Sequence, residues 1–60
     1  MKKKLLRWLG QTVSVEIHDS EDSVDGVLLS VEDDCLAIQE EDGIRPVPLG
    51  RVTSAFKGER

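Results

Sequence analysis

Val13, Val15 and Ile17 alternate with Ser14, Glu16 and His18, and this period of two leaves little choice of local structure. Side chains on an extended chain point alternately to opposite faces, so such a run is a strand with one face in a core and the other in water. The motif recurs in pieces too short for a long helix and separated by acidic, turn-forming residues. Val24 to Val31 is a second, longer strand. Cys35 to Glu40 is a third, with Leu36 and Ile38 on one side, and Ile44 to about Val47 is a fourth. Asp19-Ser20-Glu21-Asp22-Ser23 is a polar loop without period, and Glu32-Asp33-Asp34 is a tight acidic turn. Glu41-Asp42-Gly43 reads as a hairpin, since Asp-Gly supplies the positive φ values of a type I′ turn.

Glycine and proline refine this outline. Gly26 inside the second strand marks an expected bulge or sharp bend, which a small barrel needs to carry one strand across two sheets. Pro46 and Pro48 cannot donate ladder hydrogen bonds, so the fourth strand is expected at an edge. Pro48-Leu49-Gly50-Arg51 reads as a single 3₁₀ turn, and Val52 to Phe56 as a short fifth strand. Before the strands, Leu5, Trp8 and Leu9 share one face of a helix over Lys3–Leu9, with Gly10 as its stop. Two turns do not persist alone in water. The segment is expected to cover an open end of the β-core; a basic amphipathic anchor on a membrane surface is the other reading. The expectation is one domain over 1–60, with the helix in 1–10 and a five-stranded, strongly bent open barrel in 11–56.

Sixty residues hide only about 60% of the surface that the unfolded chain exposes, so the stability margin is thin. Cys35 has no partner for a disulfide, and one cysteine with one histidine cannot complete a four-ligand zinc site. No metal or cofactor is expected. Oligomerisation is the remaining device. A lone cysteine suits a reducing compartment, and the apolar stretch after Lys2-Lys3-Lys4 is too short for a signal sequence or a membrane span. A cytoplasmic location without membrane contact is expected.

Net charge is −4, but Lys2, Lys3, Lys4 and Arg7 hold half of the eight positive charges. From Trp8 onward four basic residues face all twelve acidic ones, a body of −8. Such a body repels a phosphate backbone. RNA contact is therefore expected only at Lys2, Lys3, Lys4 and Arg7, with Arg51 a weaker candidate.

The order of a short helix and five strands, with a bent second strand and a 3₁₀ turn before the fifth, resembles the Sm-like small β-barrels. Leu9-Gly10-Gln11 before Val13-Ser14-Val15-Glu16, Asp25-Gly26-Val27-Leu28, Val31 with Asp33-Asp34, and Val47-Pro48-Leu49 with Val52 carry the likeness. SH3-like barrels share much of this apolar pattern. The resemblance implies fourth and fifth strands that pair edge to edge with neighbours in rings, with Ile44, Val47, Val52 and Phe56 as the candidate edge residues. It does not carry the family's RNA-binding residues. Cys35 or Leu36 stands where an asparagine is usual, and Gly50-Arg51 reverses the usual Arg-Gly order. No aromatic residue lies in either turn to stack a base.

Catalysis finds no nucleophile beside a base. His18, next to Asp19, reads as a solvated side chain, a pH-sensing or metal role being the alternative. Cys35 reads as a half-buried small hydrophobe. Ser14, Ser20, Ser23, Ser30 and Ser54 have no signature around them. The acidic residues Asp19, Glu21, Asp22, Asp25, Glu32, Asp33, Asp34, Glu40, Glu41 and Asp42 cluster in three loops. They read as a solvated rim, or as a surface docking on a basic partner in imitation of nucleic acid; divalent-cation binding there lacks EF-hand spacing. The reading that follows is a non-enzymatic module that associates with protein, in itself or with weak RNA contact. An acidic inhibitor is the alternative.

Overall fold

The structure, a computed structural model, describes residues 2–19 and 21–58. Met1, Ser20, Glu59 and Arg60 lie outside the described residues, and with them the loop position given to Ser20 and the outer bounds given to the domain. The chain forms α1 (Lys2–Leu6), β1 (Thr12–Ile17), β2 (Ser23–Val31), β3 (Cys35–Glu40), β4 (Gly43–Pro48), a 3₁₀ turn η1 (Leu49–Arg51) and β5 (Val52–Lys57). All pairings are antiparallel, in the order β4-β3-β2-β1-β5. The sheet is not closed, because β4 and β5 form its two margins and do not pair. The short N-terminal helix and the five strands are those expected, and they form an open antiparallel sheet.

That sheet must nevertheless curl. Strands lie about 4.8 Å apart, so the margins of a flat five-stranded sheet would be separated by roughly 19 Å. The three residues of η1 join one margin to the other, and a 3₁₀ turn rises only about 2 Å per residue. Both margins therefore reach one core. Leu5, Val13, Val15, Val24, Leu28, Leu36, Ile38, Val47 and Ala55 form a single buried cluster drawn from α1 and all five strands. In β1 and β3 the buried positions follow the predicted alternation: Val13 and Val15, then Leu36 and Ile38, with Ile17 only half-buried. Among the described residues no polar side chain is buried.

The helix is shorter than its apolar spacing suggested. After Leu6 the chain tightens into i→i−3 bonds, with the Trp8 N–H donating to Leu5 C=O at 2.9 Å and Gln11 N–H to Trp8 C=O at 2.9 Å. The reason is the junction with β2. Gly10 N–H donates to Leu28 C=O at 2.8 Å, and Leu28 N–H donates to Gln11 C=O at 3.0 Å, which draws the segment onto the sheet at Gly10, φ +81°. Of the predicted apolar face, Leu5 is fully enclosed and Trp8 packs on the core, but Leu9 stays 43% exposed. Burying Leu5 contributes about 2 kcal/mol, so even one turn of helix matters to a domain of this size.

Two local expectations are corrected. The irregular register of β2 lies between Leu28 and Ser30, where it faces β3, and not at Gly26. Gly26 is required for closeness instead: a Cβ there would lie 2.2 Å from the Gln39 carbonyl oxygen and 2.9 Å from Ile38 Cγ2. The hairpin at Glu41-Asp42 is not of type I′, because both of its central residues keep negative φ and the positive value falls on Gly43, φ +143°. Glu40 pairs with Gly43, so the glycine opens β4 and does not occupy the turn. A second irregularity sits between Glu16 and Ile17, opposite β5.

Because the Gln39 carbonyl is held in the sheet, a side chain at position 26 must push β2 off β3. Gly26→Ala should cost about 2 kcal/mol and Gly26→Val more, read as a lowered urea midpoint. An unchanged midpoint in both variants would contradict this contact. Leu5→Ala should cost about 3 kcal/mol in the same measurement.

Candidate functional site

Backbone hydrogen bonds fix which groups each margin turns outward. In an antiparallel ladder, residues alternate between pairs that exchange both bonds and pairs that exchange none, and the latter aim their N–H and C=O away from the partner strand. Leu49 N–H donates to Asp34 C=O at 2.9 Å, in line with the β3–β4 register. Val47 with Leu36, Arg45 with Ile38 and Gly43 with Glu40 are therefore the bonded pairs. Ile44, Pro46 and Pro48 aim their backbone outward. Two of these three have no N–H, so the outer edge of β4 accepts hydrogen bonds but donates through Ile44 alone.

The other margin differs. Gly58 N–H donates to Thr12 C=O at 2.8 Å in the β1–β5 register, which makes Phe56 with Ser14 and Ser54 with Glu16 the bonded pairs. Ala55 and Lys57 then present both N–H and C=O outward. The four residues expected at the association edge thus separate. Ile44 is 62% and Phe56 53% exposed, Val52 is half-buried, and Val47 is enclosed in the core with its backbone bonded to β3. The expectation missed Ala55 and Lys57, whose outward amides only the register reveals.

The basic N-terminal residues are parted by their contacts. Lys2 Nζ lies 2.6 Å from Asp33 Oδ1, at the turn between β2 and β3. That hydrogen bond, and next the positive charge itself, holds the Asp33 carboxyl below its ordinary range. Lys3, Lys4, Arg7 and Trp8 line an open groove of about 440 Å³. The Lys4 ammonium sits 5.4 Å from the centre of the Trp8 ring, one helical turn away, in cation–π range. Trp8 is thus an aromatic member of the basic group, a role that the i, i+4 spacing from Lys4 could have signalled. Arg51 lies in η1, where its carbonyl accepts the His18 N–H at 2.7 Å, and it does not line that groove.

Carboxylates gather elsewhere. Asp25, Glu40, Glu41 and Asp42 line one shallow groove with Ser23, and Glu16, Glu21 and Asp22 line another that shares Ser23. Arg45 is the cation in the first, 3.0 Å from Glu40. Fold and charge therefore coincide: cations collect at the helix, and the β1–β2 and β3–β4 connections bring acids together. His18 is exposed and lies 3.3 Å from Asp19, whose φ is +65°. Cys35 is half-buried, as expected. Among the described residues no three of His, Cys, Asp and Glu are arranged to hold a metal ion, and no helix is long and apolar enough to cross a membrane. Comparison with protein-family models, curated proteins and solved structures finds no match to this chain.

A carboxyl with a depressed folded pKa stabilises the fold above its ordinary pKa and loses that contribution as pH falls through the depressed value. Asp33 is of this kind, although its exposure means that salt weakens the effect. In an NMR titration the Asp33 midpoint should lie below the ordinary aspartate range, and Lys2→Ala should raise it. An Asp33 midpoint that Lys2→Ala leaves unmoved would rule out this ion pair in solution.

Proposed function

We propose that this chain is a non-enzymatic association module of the Sm-like kind, an open small barrel that works through its strand edges in the cytoplasm. The observation that carries the reading is the unpaired β5 margin, whose Ala55 and Lys57 backbone groups face outward beside the exposed Phe56. An unpaired strand is a template for another chain, and a chain of 60 residues without a disulfide gains stability by covering it. The strand order, the 3₁₀ turn before β5 and the helix on the core agree with the Sm-like pattern that the residues suggest.

RNA is a secondary ligand in this reading, held weakly at the N-terminal groove. Lys3, Lys4 and Arg7 supply phosphate contacts and Trp8 a ring on which a base can stack, at the expense of the Lys4 contact. Lys2 contributes less because Asp33 already holds it. The −8 body opposes any larger footprint.

Light scattering at low micromolar concentration should give a species heavier than the 6.7 kDa chain. A folded monomer under those conditions would sink the association reading. Fluorescence anisotropy with oligo-U and oligo-A should show weak, unselective binding, abolished when Lys2, Lys3 and Lys4 become alanine and reduced by Trp8→Phe. Tight U-selective binding that survives the triple change would place the RNA site on the sheet instead. Binding of a basic protein that rises with acid content, without self-association or RNA binding, is the outcome that favours the acidic inhibitor.

A further inference from the structure

We infer that the partner of the β5 edge is a second copy of the same edge, in a two-fold dimer centred on Phe56; this rests on the association reading above. The two margins are not equivalent. A head-to-tail contact would join β5 to β4 of a neighbour, and there Pro46 and Pro48 remove two of the three outward donors. Such a ladder is one-sided, with β5 donating and β4 chiefly accepting. Two β5 strands side by side suffer no such loss.

Register selects one arrangement. Antiparallel pairing of Ala55 with Lys57 of the second copy, and of Lys57 with its Ala55, uses every outward group of those residues and forms four backbone hydrogen bonds. The two-fold axis then passes beside Phe56, which meets its own copy as a pair without backbone bonds, the arrangement with the shortest separation across strands. Two half-exposed rings are covered at once, and aromatic pairs across strands are among the favourable ones. A shift that centres Lys57 sets two ammonium groups opposite each other. A shift that centres Ala55 sets Phe56 against Ser54 and brings in Thr53, which the β1–β5 register skips.

Charge does not separate the two margins, since neither β4 nor β5 contains a carboxylate. Each chain carries −4 and Asp25 shares a groove with Phe56, so salt should tighten the dimer. The axis at Phe56 also lies toward the end of β5 remote from η1, where the β4 margin turns in.

The test combines light scattering with a cross-link, on the full chain. A pair centred on Phe56 places the two Cα atoms about 4.5 Å apart, within disulfide range. The Cys35→Ser/Phe56→Cys variant should form a covalent dimer under mild oxidation, and Cys35→Ser/Ile44→Cys should not. Phe56→Asp should raise the dimer dissociation constant more than about tenfold while far-UV circular dichroism is unchanged. If Phe56→Asp unfolds the chain, the cross-linking pair alone decides. Rings larger than a dimer, cross-linking at Ile44 in preference to Phe56, or assembly insensitive to Phe56→Asp would overturn the two-fold edge and leave the association module standing. A wild-type monomer throughout would remove both.

Discussion

Everything in this fold depends on the short link from β4 to β5. Three residues join the two margins of a five-stranded sheet, and their reach forbids a flat sheet. Curling puts Val47 of one margin and Ala55 of the other into one cluster with Leu28 and Leu36. It also explains why β2 is long and irregular, since that strand pairs with β1 through its first half and β3 through its second. Leu5 then closes the cluster from the helix side. The demand on Gly26 follows as well, for the curl presses β2 against the Gln39 carbonyl and leaves no room for a Cβ.

Much of this arrangement was legible in the residues. Alternation in Val13-Ser14-Val15 and in Leu36-Ala37-Ile38 is a local signal, and the strands and buried faces agree with it. What escaped were features set by partners distant in sequence. The helix ended early because Gly10 is claimed by Leu28, and periodicity within Lys3–Leu9 contains no trace of that bond. The register of β2 is lost at Leu28–Ser30, because pairing with β3, and not the glycine, sets where it shifts. The Asp-Gly pair points to Gly43 in the turn, yet Gly43 pairs with Glu40, a shift of one residue that composition cannot decide.

The candidate site follows the same division. Exposed Ile44 and Phe56 could be read as edge residues, and the basic group could be read from charge alone. Val47 could not be distinguished from them, since an apolar residue on an edge strand faces either core or solvent according to register. Periodicity marks Trp8 only as an apolar helix residue, whereas the fold sets the Lys4 ammonium over its ring. The outward amides of Ala55 and Lys57 belong to the backbone, and side-chain chemistry does not announce them.

Pro46 and Pro48 have a consequence for aggregation. A curled sheet with two open margins could in principle extend without limit, each chain adding its β5 to the β4 of the next. Removing donors from one margin makes that addition one-sided and weak, so growth across the strands, in the hydrogen-bonding direction, has no strong repeating step. The prolines thereby act as chain terminators against fibre formation, beside the exposed charge of Arg45 on the same strand.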